Sequence, residues 1–428
     1  MRRAVEQGAD ATRAAAETVA RRSYGRLVAW LTARTRNVAA AEDALADAFA
    51  AALAEWPRRG VPDRPEAWLA TVGRRKLIDA ARRRGHRDAS TGHLQIIAEE
   101  LEEAGLREVD IPDERLALMF ACAHPAIDRA VRAPLILQTV LGFDAGAIAS
   151  AFLVAPAAMG QRLVRAKAKI RQAGIPFRVP ERAELAERLE AVLDAIYAAY
   201  AEGWADPAGT DSRRRSLAEE AIWLGQLVVS LLPAEPEVLG LVSLMLHTEA
   251  RRGARRNAAG EYVPLAEQDM AAWDAALIDD AEALLLQAAA MRRSGRYQLE
   301  AAVQSVHAAR RVTGRTDWPA IVVLYDALAA ITGSPVVAMN RAVAVAEVHG
   351  AEAGLAALDD VASDARLADY QPYWAARAGL LARLGDADAA EQAYQRAIGL
   401  EADPAVRRFL LVRCAAARRH PGTQHGGC

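Results

Sequence analysis

The sequence predicts an all-α protein, on three observations. Alanine and leucine are abundant throughout, and both are strong helix formers. Apolar residues recur at the three- and four-residue spacings of a buried helix face. Alternating β-branched runs and the Asn-Gly or Asp-Gly turns of hairpins are scarce. At 428 residues and 45.9 kDa the chain can hold two or three domains with sizeable cores.

Residues 1–22 read as a polar helical arm. The first strong helix is expected over about 24–34, with Leu27, Val28 and Leu31 on one face. In NVAAAEDALADAFAAALAEWP, the spacing of Ala41, Leu45, Ala48, Phe49, Ala52 and Leu53 predicts a second helix, with Glu42, Asp43 and Asp47 off its apolar face. Pro57 is expected to stop it. Residues 58–65 form a loop, and Pro65 then starts a helix carrying Trp68, Leu69, Val72, Leu77 and Ile78. Its second half holds Arg74, Arg75, Lys76, Arg82, Arg83, Arg84 and Arg87 against the single acid Asp79. Cations facing a helix dipole account for two or three of these. The full cluster suits a phosphate backbone.

An acidic span follows over 88–113, with Glu99, Glu100, Glu102, Glu103, Glu108, Asp110 and Asp113, and with hinges at 90–92 and 111–112. Helices over 115–123 and 130–141 lead into FDAGAIASAFLVAPAAMGQRLVRAKAK, which reads as a helix-turn-helix. Asp144 is placed to cap its first helix, which buries Ile148, Ala149 and Phe152. Leu153 and Val154 turn the chain, and Pro156 suits the first position of the second helix. There Met159, Leu163, Ala166 and Ile170 form an inward stripe. Gln161, Arg162, Arg165, Lys167 and Lys169 are left within reach of phosphates and base edges in a major groove.

Residues 175–184 read as an extended linker because of their prolines. Beyond it, amphipathic helices joined by short Pro- or Gly-containing turns predict stacked helix pairs. His349-Gly350 and Leu384-Gly385 stand close to one tetratricopeptide period apart. Leu384, Gly385, Ala389, Tyr394, Ala397 and Pro404 resemble that repeat's consensus. The tail from 416 is polar and expected to be disordered.

Several function classes are disfavoured. The formal net charge of −2 averages over segments of opposite sign, so the local clusters decide the partners. Cys122, Cys414 and Cys428 are scattered and form neither a disulfide framework nor a CxxC site, which fits a reducing cytoplasm. Residues 5–20 are interrupted by Glu6, Asp10, Arg13 and Glu17 and lack the apolar core of a signal peptide. No uncharged apolar run reaches the ~18 to 20 residues of a membrane span. No GxxxxGK[ST] or G-x-S-x-G motif is present, and the eight histidines do not cluster with ligand residues. No enzyme activity, cofactor or metal is therefore expected. His247 and Glu249 on one helix are the one candidate polar pair.

Taken together, the AEDALADAF helix, the PEAWLATVGRRKLIDAARRR helix, the acidic span and the helix-turn-helix resemble a bacterial extracytoplasmic-function RNA polymerase sigma factor. The match covers about residues 20–175. With WDAALIDDAEALL and SPVVAMNRAVAVA, the chain resembles the subgroup that carries a tetratricopeptide-like extension. The resemblance implies an arm over 1–22, a region 2-like domain over 23–87, a linker over 88–113 and a region 4-like domain over 114–174. After the linker 175–184, it implies a helical-repeat domain over 185–415.

It also implies roles by position. Glu42, Asp43, Leu45, Asp47 and Phe49 would dock on the β′ clamp helices of core RNA polymerase, which is also contacted through its β flap. Trp68, Arg74, Arg75, Lys76, Arg82, Arg83 and Arg84 would melt and hold the promoter −10 element. Gln161, Arg162, Arg165, Lys167 and Lys169 would read the −35 element. Arg75, Ala46 with Asp47, and Ala147 depart from the family's common Asn, Gln-Glu and Glu. The repeats would regulate the protein or bind a protein or peptide. The alternative reading is a helix-turn-helix regulator with a helical-repeat sensor, acting on duplex operators without being a polymerase subunit.

Overall fold

The computed structural model describes residues 2–85, 114–152, 154–175, 177–204 and 212–419. The acidic span 88–113, Arg87, Leu153, Cys428 and the tail from 420 lie outside these, as do the side chains of Arg82, Arg83 and Arg84. The fold is all-α: the described residues contain no strand, only an isolated bridge between Arg256 and Tyr262. Contacts divide the chain into two compact units, Met1–Ala199 and Tyr200–Cys428.

The first unit contains α1 (Arg2–Thr35), α2 (Val38–Arg59), α3 (Pro65–Gly85), α4 (Arg115–Cys122), α5 (Arg129–Thr139), α6 (Ala145–Ala151) and α7 (Pro156–Gln172). Helix α8 (Arg182–Trp204) crosses the boundary between the units.

Helix α1 is unbroken, so the arm expected over 1–22 is the first part of one long helix. The reason lies in its buried face: Ala16, Val19 and Ser23 continue the stripe of Leu27, Trp30 and Leu31, and no proline or turn intervenes. Asn37 caps α2, its Oδ1 accepting from the Ala40 N–H at 3.1 Å.

Pro57 does not stop α2, which runs on to Arg59. A proline three residues from a helix end forfeits one hydrogen bond near a terminus where carbonyls turn to water anyway. Leu53, whose carbonyl it would crowd, is exposed, and the Gly60 N–H still reaches the Trp56 carbonyl at 2.9 Å. Helices α1, α2 and α3 pack on one another around the fully buried Leu27, Leu31, Leu45 and Leu69.

In the second half of this unit, Asp144 caps α6, its Oδ1 accepting from the N–H groups of Gly146 and Ala147 at 2.8 and 2.9 Å. Pro156 opens α7 as expected. Helix α8 starts inside the predicted linker. Its first turn closes when the Glu184 carboxylate accepts from the Glu181 N–H at 3.3 Å. Buried Arg132 fastens α8 in place: its guanidinium donates to the carbonyls of Pro125, Ile127 and Glu187.

The second unit holds α9 (Ser212–Leu231), α10 (Pro236–Glu249), α11 (Ala275–Ala290), α12 (Arg296–Ala308), α13 (Arg310–Thr313), α14 (Trp318–Thr332), α15 (Pro335–His349), α16 (Ala351–Asp359), α17 (Gln371–Leu384), α18 (Ala387–Leu400) and α19 (Pro404–Arg419). The most buried helix is α10, packed against α9, α11 and α12. From α14 to α19 each helix packs on the next. Tyr394 and Ala397 are buried with Ala378, Leu381 and Leu410 between α17, α18 and α19. Residues 416–419 belong to α19, so the tail expected from 416 begins no earlier than 420.

Candidate nucleic-acid interface

Helix α7 carries the arrangement its sequence predicts. Met159, Leu163, Ala166 and Ile170 are its buried residues. Gln161, Arg162, Arg165 and Lys169 are exposed. The Arg165 Nε donates back to the Gln161 backbone carbonyl at 3.3 Å, which lays the Arg165 side chain along the helix toward its N-terminus. Val164 is 69% exposed on this helix. It was absent from the polar set, yet an apolar group among base-reading side chains can meet a thymine methyl. Its signal was present in the sequence as an apolar residue left outside the inward stripe.

On α3, Trp68 is half-buried and packs edge-on against buried Trp56, with centroids 5.5 Å apart and planes at 65°. Arg75 is exposed, and Arg74 and Lys76 are half-buried. A further cation stands beside them. Arg34 on α1 lies over the Trp30 ring at 3.8 Å and donates to the Trp30 carbonyl. Its pKa is lowered by burial first and by Arg74 as well, against an opposing pull from Glu114. Nothing in the local pattern of α1 pointed to Arg34, because its neighbourhood is made by tertiary packing.

On α2 the five residues of one predicted surface divide. Asp43 and Asp47 are exposed, and Phe49 is half-buried. Leu45 has no exposed surface; it holds α2 to its neighbours and presents nothing to a partner in this arrangement. Glu42 is turned toward α7, where Lys167 Nζ donates to both of its carboxylate oxygens at 2.8 and 2.6 Å. Both side chains are largely buried, 16% exposed for Lys167 and 17% for Glu42. Burial raises the Glu42 pKa and Lys167 offsets this only in part. Two residues that the sequence assigned to different partners are thus each other's partner.

Beside α7 lies a groove of about 600 Å³. Phe152, Val154 and Met159 give it an apolar lining, and Arg162 with Glu187 and Asp194 of α8 are among its charged members. Among the described residues no three potential metal ligands come together. His247 and Glu249 do not act as a pair. Glu249 is held by Arg252 and by the Tyr200 hydroxyl, whereas His247 Nε2 lies 3.5 Å from Glu282. No helix among the described residues is long and apolar enough to cross a membrane.

Residues 19–87, which span the second half of α1 and all of α2 and α3, match Sigma-70 region 2. Residues 188–289 match a family of unknown function (DUF6596). Over 397 residues the chain is 38% identical to an uncharacterized protein of Rhizobium meliloti (strain 1021), an overlap of 91% of this chain and 92% of that one. No solved structure matches.

Proposed function

The chain belongs to one family with the Rhizobium meliloti protein and carries a sigma-70 region 2 domain, and on that footing we propose that it is an extracytoplasmic-function sigma factor. It binds core RNA polymerase, directs promoter-specific initiation in the cytoplasm, and uses its C-terminal unit for regulation or partner binding. The observation that carries this reading is the region 2 match. It falls on the helices that hold the exposed acids Asp43 and Asp47 and the cationic face of α3.

In this reading no bond is made or broken by the chain. Asp43, Asp47 and Phe49 meet the polymerase clamp, with Leu45 keeping α2 in position and Glu42 joining once it is released from Lys167. Trp68 offers a ring on which an unstacked base can lie, and Arg74, Arg75, Lys76, Arg82, Arg83 and Arg84 follow the backbone of the opened strand. Helices α6 and α7 act as a helix-turn-helix. Gln161 and Arg165 read base edges of the −35 element, while Arg162, Lys167 and Lys169 meet phosphates. The succession α14–α19 supports a helical-repeat surface for a protein or peptide partner.

In vitro transcription with core polymerase on a genomic library, with start sites mapped, tests the reading. New starts that require the chain and share spaced −10 and −35 sequences are expected. Tight binding of the free protein to palindromic duplexes, with no effect on initiation, would establish the regulator reading instead.

A further inference from the structure

The polar groups that the second unit buries without a hydrogen-bond partner gather in one place. Among the described residues of Tyr200–Cys428 they are His247 Nδ1 and Nε2, Arg251 Nη1, Arg256 Nε, Gln268 Oε1 and Trp273 Nε1, all between the last turn of α10 and the start of α11. Trp273 is buried with Ala250, Ala254, Ile278 and Ala308, which draws the chain after α10 against the end of α12.

Positive charge gathers there as well. Arg251 and Arg310 lie 5.8 and 5.3 Å from the Trp273 ring, and Arg255 lies 4.3 Å from that of Trp204. Arg252 and Arg256 are paired with Glu249 and Asp403. Arg251, Arg255 and Arg310 form no ion pair with a described residue. Arg255 donates to the Trp204 carbonyl, and Arg310 to the carbonyls of Leu265, Ala266 and Gln268 and to the Met270 sulfur. The cations that Arg251 feels are Arg255 and Arg310. A guanidinium only 7% exposed and set among like charges is costly unless an anion meets it.

We propose that this cluster binds a phosphate group, with Arg251 Nη1 and Trp273 Nε1 donating to its oxygens and Arg255 and Arg310 supplying further charge. Three guanidinium charges without carboxylates favour a dianion over a singly charged carboxylate, and the guanidinium fork matches phosphate oxygens. Gln304, His307 and Arg310 are half-buried, so solvent lies within reach of the cluster. The site lies wholly in the second unit and asks nothing of polymerase or DNA.

The test is calorimetric titration of the full chain at constant ionic strength with inorganic phosphate, glucose 6-phosphate and acetate. Saturable one-to-one binding of a phosphate is expected, with acetate at least about tenfold weaker. Trp273→Phe keeps the ring and loses the Nε1 donor, while Arg251→Lys keeps the charge and loses the fork. Each is expected to raise the phosphate Kd about tenfold. Arg293→Gln, at an exposed arginine paired with Glu235, is expected to leave it unchanged. Should either variant lose helical circular dichroism, Arg310→Gln at the half-buried rim gives the same reading.

A tighter ester identifies an organic phosphate as the ligand and tighter inorganic phosphate the free ion, and either upholds the site. Absence of binding by both phosphates up to about 10 mM, or acetate bound as tightly, overturns it. So does an unchanged Kd in the donor variants with helicity retained, since the anion then sits elsewhere.

Discussion

One buried charge in each unit is satisfied in a different way. In the first, Lys167 and Glu42 come from helices 125 residues apart and satisfy one another. In the second, Arg251 is 7% exposed, and the charged groups felt by its guanidinium include no carboxylate. It donates to Gln304 Oε1 and lies 5.8 Å from the Trp273 ring, and burial lowers its pKa to about 10. His247 and His307 nearby are each held at about 4, by burial first and then by the neighbouring arginines.

A matched pair can be handed to outside partners, since each member can be re-paired as it leaves. An arginine set among a glutamine, an indole and two neutral imidazoles has no such route out. The first arrangement suits surfaces that must separate, and the second suits a core that must stay assembled.

Acid breaks this comparison most strongly. A histidine whose folded pKa is depressed keeps its full contribution above the unfolded value of 6.5 and loses it as pH falls toward 4. For His247, which is 1% exposed, the window corresponds to about 3 kcal/mol. Glu42 runs the other way, because its folded pKa is raised and its ionisation above 4.5 works against folding. Urea midpoints followed from pH 7 to 4 should therefore show the second unit weakening. His247→Met should flatten the part of that slope that belongs to His247.

The second test sets two glycines side by side. A Cβ at Gly240 would lie 2.6 Å from the Gln298 backbone nitrogen, so α10 and α12 touch main chain to main chain as α1 and α5 do at Gly25. Gly240 is wholly inside the core of the second unit. Gly240→Ala should cost about 2 kcal/mol or more in urea denaturation, as overpacking against backbone does. Gly25→Ala, whose Cβ would come still closer to backbone at 1.8 Å, should cost the first unit at least as much.

What the sequence disclosed and what it hid follow the same division between local and tertiary causes. The inward stripe of α7, the Asp144 cap and the Pro156 start depend on helical spacing and on side chains within a few residues, and all are found in place. The continuity of α1 was locally readable too, since Ala16 and Val19 stand at helical spacing from the stripe at Ser23 and Leu27, but residues 1–22 read as a polar arm. The ends of α2 and α8 slipped by a few residues, where a terminal proline and a glutamate cap shift the balance. The Glu42–Lys167 pair had no local trace. Both residues lie on polar faces that a periodicity argument assigns to solvent, and only the packing of α2 on α7 brings them together.

On the proposed reading, the exposed residues of α7 give smaller and more selective effects. Arg165→Ala should cost about 1 to 3 kcal/mol of discrimination at the −35 element and leave core polymerase binding unchanged. The readout is initiation from promoters varied one base pair at a time. Lost polymerase binding instead would place this helix on the wrong partner. Lys169→Gln should weaken binding evenly across promoters and lower the salt dependence by about one ion.

The smallest expected effect falls on Val164. This side chain is 69% exposed one residue before Arg165, on a helix whose core stripe excludes it. Its burial therefore adds nothing to the folded state, and Val164→Ala should leave the urea midpoint unchanged. Against DNA it can contribute only apolar contact, which is worth most beside a thymine methyl and little beside cytosine. Replacing it should cost under about 1 kcal/mol, confined to one base position, and the loss should vanish when thymine there is replaced by uracil. A loss spread evenly over all promoters would mean that Val164 supports the helix and reads nothing.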